Sequence, residues 1–80
     1  MKIPAIKKLV ETYSIAQLQS AENALCEEAT PEIIIEGDDE GEKLTHVLAS
    51  IFIKDKIEKE AYSFNQALRE FSQRVRNSIS

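Results

Sequence analysis

The chain has no tryptophan, one cysteine, one histidine, two glycines and two prolines. A single cysteine excludes a disulfide within the chain, and such a count suits a reducing cytoplasm. With so few glycines there is no phosphate-cradling loop. There is also no G-x-S-x-G or C-x-x-C arrangement, so catalysis has no visible machinery and no enzyme is expected. A lone histidine leaves tetrahedral zinc chemistry without ligands. Scarce glycine and proline favour helices over a fold with many tight turns. Long hydrophobic runs are missing too. The longest, Val47 to Ile53, is broken by Ser50 and is far too short to span a bilayer. Lys2, Lys7 and Lys8 bracket only short apolar pieces, so no signal peptide is expected. Finally, positive charge is in deficit: 10 basic against 14 acidic residues, net −4. That argues against nucleic acid and anionic membranes as partners.

What is present is helical. Tyr13-Ser14-Ile15-Ala16-Gln17 and Tyr62-Ser63-Phe64-Asn65-Gln66 repeat one pattern, each before an amphipathic run. Serine followed three residues later by glutamine is a capping box, and the tyrosine before it is placed to staple the entering chain. Helical spacing marks four segments. Ile3 to Thr12 carries Ile3, Ile6, Leu9 and Val10, with Pro4 tolerated in the first turn. Ile15 to Ala29 carries Ile15, Leu18, Ala21, Leu25, Cys26 and Ala29, and Thr30-Pro31 should end it. A long segment from Glu40 to Glu60 is apolar on two sides: Leu44, Val47, Leu48, Ile51 and Phe52 on one, Ala49, Ile53 and Ile57 on the other, so it is either central in the fold or shared with a partner. Phe64 to Ile79 carries Phe64, Ala67, Leu68, Phe71, Val75 and Ile79. Between the second and third helices, Glu32-Ile33-Ile34-Ile35-Glu36 reads as a short strand. The expected fold is a single all-α domain over residues 1–80. It is a three- or four-helix bundle with one short extended segment, and the two joints hint at two helical hairpins.

Four features invite chemistry. Glu36, Asp38, Glu40 and Gly41 echo the start of a calcium loop, but the twelfth position is Val47 where a bidentate Glu is needed. A solvated helix start is the expectation, and no cofactor or metal is assigned. His46 reads as a partly buried or interface histidine. Cys26 lies on the apolar stripe, and its neighbours Glu27 and Glu28 are the opposite of the electropositive setting a reactive thiol needs. Glu22 and Asp55 fall inside apolar stripes and should be ion-paired or near water.

A lone strand leaves its backbone groups without ladder partners. Pairing with the same segment of a second copy would satisfy them, and the second apolar face of the long helix would also need cover. The expected homodimer therefore has six candidate interface residues: Ile33, Ile34, Ile35, Ala49, Ile53 and Ile57. An accessory role in thiol redox metabolism through Cys26 is the alternative.

Two ends of the chain carry a resemblance. Met1-Lys2-Ile3-Pro4-Ala5-Ile6-Lys7-Lys8-Leu9 is similar to the M-K-[LI]-P-x-I-K-x-L opening of a family of small uncharacterised bacterial proteins. Gly41-Glu42, Ala67-Leu68, Phe71, Arg74-Val75 and Ser78-Ile79 resemble its second half. The resemblance implies a compact helical cytoplasmic protein, often encoded near thioredoxin-like and peroxiredoxin-like proteins, and brings no catalytic residue with it.

Overall fold

A computed structural model describes residues 2–79, with side chains described through residue 77. Four helices occupy about three-quarters of the chain: α1 (Ile3–Thr12), α2 (Ile15–Cys26), α3 (Glu40–Glu60) and α4 (Phe64–Ile79). The fold is all-α, and among the described residues there is no strand. Ile79 falls in α4, but its side chain lies outside those described, as does all of Met1.

Both capping boxes form. Ser14 Oγ accepts from the Gln17 N–H at 3.2 Å while Gln17 Oε1 accepts from the Ser14 N–H at 2.9 Å. Ser63 and Gln66 repeat this at 3.2 and 3.1 Å. These reciprocal bonds satisfy donors that the first helical turn leaves open. Tyr13 packs against the core cluster that holds Leu18, and Tyr62 against the one that holds Ala67, each the fourth residue of the helix it precedes. A third cap opens α3, where Asp39 Oδ1 accepts from the Glu42 N–H at 2.7 Å and Glu42 Oε1 accepts from the Asp38 N–H at 2.9 Å.

Helix ends departed from expectation once. α2 stops at Cys26, well before Pro31. Glu28 adopts a left-handed conformation at φ 58°. Its N–H reaches the Leu25 carbonyl at 3.2 Å, and the Ala29 N–H reaches the Ala24 carbonyl at 2.7 Å. That pair of bonds is a Schellman motif, so α2 is closed by its own backbone rather than by the proline. The motif normally takes glycine, which has no Cβ to clash.

α3 is the hub. α1, α2 and α4 each pack chiefly on it and only slightly on one another. One cluster joins α1 and α2 to α3 through Leu9, Leu18, Ala21, Leu25 and Val47, with Ile35 from the loop. The other joins α1 and α4 to α3 through Ile6, Val10, Ala49, Ile53 and Ala67. Both faces read from the sequence thus enter the core, the first through Val47 and the second through Ala49 and Ile53. Ala49 and Ile53, on the second face, are fully buried, whereas Leu48, on the first, is 40% exposed. Ile3 is also exposed, and Ala5 is buried in its place. The connector over residues 27–39 is irregular. It shows the expected alternation in its burial but no ladder.

Candidate functional site

Only one of the six candidate interface residues lies in the open. Ile34 is 78% exposed, Ile35 is buried, and Ile33 is half-buried against the α1–α2–α3 cluster. Ala49 and Ile53 are sealed inside the chain by α1 and α4, and Ile57 is half-buried beside them. The second face of α3 is therefore core, not free surface. Near Ile57 an open groove of about 530 Å³ runs along Val10, Ile57 and Phe64, with the opposite charges of Lys7 and Glu11 beside it.

The exposed apolar surface lies elsewhere, where α4 rests on α3. Phe52 and Phe71 meet with ring centroids 5.7 Å apart and planes tilted by 54°, within the separation at which aromatic pairs attract. Leu48 lies one turn before Phe52, and Val75 one turn after Phe71, at 40% and 41% exposure. Both phenylalanines are half-buried. Cations lie over the strip. Arg74 sits 5.2 Å from the Phe52 ring centroid and Lys56 5.6 Å from it, the latter also 5.8 Å from the Tyr62 ring.

A charge network links the two helices beside this strip. Lys56 Nζ lies 2.9 Å from Glu60 and 3.5 Å from Glu70, and Glu70 also takes Arg74 at 3.2 Å. The hydrogen bond to Glu60 raises the Lys56 pKa, helped by the charge of Glu70 and against some desolvation. For Glu70, desolvation by itself pushes upward, but the charge and hydrogen bond of Lys56, together with Arg74, outweigh it and lower the carboxyl pKa. This is an interhelical clamp at the surface, built from residues whose side chains keep partial contact with water.

The acidic loop is occupied with structural work. Asp38 pairs with Lys2 at 3.5 Å, Glu36 pairs with Lys8 at 3.7 Å, and Asp39 and Glu42 cap α3. Among the described residues, no group of three or more His, Cys, Asp or Glu could hold a metal. Gly37 fits tightly in this loop. A Cβ there would lie 2.8 Å from Lys43 Cγ and 3.1 Å from the Lys43 backbone nitrogen. Asp55 is half-buried and bonded to Lys59 at 3.0 Å, which is the ion pairing expected of it, and Glu22 is half-buried on α2.

Cys26 and His46 trade places against expectation. Cys26 is exposed at the last turn of α2 rather than packed on its stripe, because the helix ends there and the chain turns away. His46 is fully buried, not merely at an edge. Its Nδ1 lies 2.7 Å from the Glu36 carbonyl oxygen and its Nε2 lies 2.9 Å from the Lys2 backbone nitrogen. Ser50, one turn on and also buried, donates to the His46 carbonyl at 2.6 Å. Sequence reasoning missed this pairing, since both partners of the ring are backbone groups and leave no side-chain signature.

The profile of a family of unknown function, DUF6952, matches residues 1–80, and the chain belongs to that family. No curated protein and no solved structure matches it.

Proposed function

We propose that the chain is a non-enzymatic interaction protein of the bacterial cytoplasm that acts as a homodimer, with the strip across α3 and α4 as its contact surface. The observation that carries this reading is the strip itself: Leu48, Phe52, Phe71 and Val75 exposed or half-exposed along two packed helices. A second copy is the occupant favoured by charge. α4 carries Arg69, Arg74 and Arg76 against one acid, while residues 27–42 hold eight acids and no base. One copy therefore offers both signs to another, the arrangement a two-fold contact needs. Area agrees. The surface of 5276 Å² exceeds the roughly 4,850 Å² typical of a compact 9.0 kDa monomer. A standard interface takes about 800 Å² from each partner.

Analytical ultracentrifugation at tens of micromolar tests it. The expected species has twice the 9.0 kDa of the chain. Leu48→Glu should give a folded monomer of unchanged helix content, whereas Ile34→Lys, outside the aromatic strip, should weaken the dimer less. A monomeric wild type overturns the reading, and dissociation by Ile34→Lys alone would move the contact to the loop. The exposure of Cys26 favours a second reading, an accessory thiol function. It requires that native-state labelling of Cys26 run faster than that of a free cysteine, because a reactive thiol must be richer in thiolate than an ordinary one.

A further inference from the structure

We propose that His46 is a pH-sensitive latch: its neutral ring ties the start of α1 to α3, and protonation releases that end while leaving the connector tied. The partners decide the ring's protonation. A carbonyl oxygen only accepts, so the Nδ1 facing Glu36 at 2.7 Å carries the hydrogen. A backbone N–H only donates, so the Nε2 facing Lys2 at 2.9 Å presents its lone pair. Both bonds are made at once only by the neutral Nδ1–H tautomer. The imidazolium carries hydrogen on both nitrogens. It keeps the bond to Glu36 and sets Nε2–H against the Lys2 N–H, two donors face to face in a site where the ring is 0% exposed.

Charged groups on the three joined elements do not offset this. On α1, the Lys2 side chain lies toward Asp38 and Glu42 at 3.5 and 3.9 Å. On the connector, the Glu36 carboxylate is 3.7 Å from Lys8. On α3, Glu42 lies one turn before His46 and bonds the Asp38 N–H, while Lys43 packs beneath Gly37. Neither ring nitrogen has a carboxylate among its hydrogen-bond partners.

The consequence is directional. Lys2 is the N-cap of α1 and has no side-chain cap bond; its carbonyl accepts from the Ala5 and Ile6 N–H groups at 3.1 and 3.3 Å. Losing the ring frees that first turn, which covers Ser50 and the Ala49–Ile53 face of α3. Protonation of the ring thus opens α1 first, because the neutral ring's bond to the Lys2 N–H is what holds that end.

Nuclear magnetic resonance on the full chain between pH 7.5 and 5 tests the latch. At pH 7.5 the ring nitrogen shifts should report the Nδ1–H tautomer. At pH 5, exchange protection of the Lys2 and Ile6 amides, corrected for intrinsic rates, should fall at least tenfold while that of Ala67 in α4 holds. His46→Gln, whose amide accepts and donates without titrating, should abolish the loss. An Nε2–H tautomer, a uniform fall across all helices, or the same local loss in His46→Gln would overturn the proposal. Should that variant fail to fold, the wild-type tautomer and the contrast between α1 and α4 still decide.

Discussion

The two helix–turn–helix joints begin alike and end differently. Each has tyrosine, serine and glutamine in the same spacing, and each forms the same pair of capping bonds at nearly equal distances. Yet α3 and α4 pack on each other as a hairpin, whereas α1 and α2 make little mutual contact and both lie on α3. The cap fixes where a helix starts. Its direction is set by which apolar face it can bury, and α3 has two to offer. The preceding helix ends differ as well. α3 closes through Ala61 in a left-handed conformation at φ 55°, while α1 ends with an extended Tyr13 and has its Val10 carbonyl held by Lys54 Nζ at 2.9 Å. A cation at the C-terminus of α1 satisfies an orphan carbonyl and anchors that helix to α3 rather than to α2.

If α3 directs the arms, removing an anchor should matter far more than removing a cap. Leu18 is the fully buried side chain by which α2 sits on the hub. Leu18→Ala should cost about 2–5 kcal/mol from lost transfer energy plus the cavity left behind. For a domain this small that approaches the whole stability. Urea denaturation at 25 °C measures it. A cost near that of a cap mutation would mean α2 is held by its joint after all.

The caps themselves come next. Ser14→Ala and Ser63→Ala should each cost about 1 kcal/mol, since each orphans a first-turn donor. Because the joints belong to separate clusters, the double mutant should show the sum within about 0.5 kcal/mol. A clear departure from additivity would show that the joints communicate through α3.

How much of this was legible depends on the kind of signal. Caps are local, so Ser14 and Ser63 could be read directly, and three of the four helix spans follow from periodicity alone. The end of α2 was not legible, because Glu28 in a left-handed conformation carries none of glycine's usual mark. Ile33, Ile34 and Ile35 alternate in burial as a strand would, yet no strand pairs with them. The connector's backbone groups instead find His46 and Glu42. Periodicity tells which residues share a face of α3 but not which face the chain will cover. The candidate surface was misplaced for that reason. Ile53, offered as interface, is covered by α1 and α4, while Leu48 on the other face stays 40% exposed.

Smaller gains are expected at the two left-handed positions, which end α2 and α3. Glu28→Gly and Ala61→Gly should each stabilise by about 0.5–1 kcal/mol, relief of the Cβ clash exceeding glycine's extra freedom in the unfolded chain. Thermal melts would register both as upward shifts. A loss at Ala61 alone would show that its methyl group matters to the α3–α4 joint.

The smallest effect belongs to the interhelical clamp, which only the second joint possesses. Glu70 is lowered below its usual 4.5, so its contribution is present above that value and disappears as the pH falls through the folded pKa. Lys56 is raised above 10.5, so its contribution is full below that value and is lost as the pH rises through the folded pKa. The clamp therefore acts across the range between them. Glu70→Gln should weaken the protein at pH 7 by less than either cap mutation, since both side chains retain access to water and ions screen them. As the pH falls through the folded pKa the difference from wild type should shrink, because Glu70 then loses its charge in the folded chain as well. In 1 M salt it should shrink at pH 7 as well. A difference that persists unchanged in 1 M salt would mean that Glu70 holds α4 to α3 through packing of its stem rather than through charge, and the two joints would then differ in shape alone.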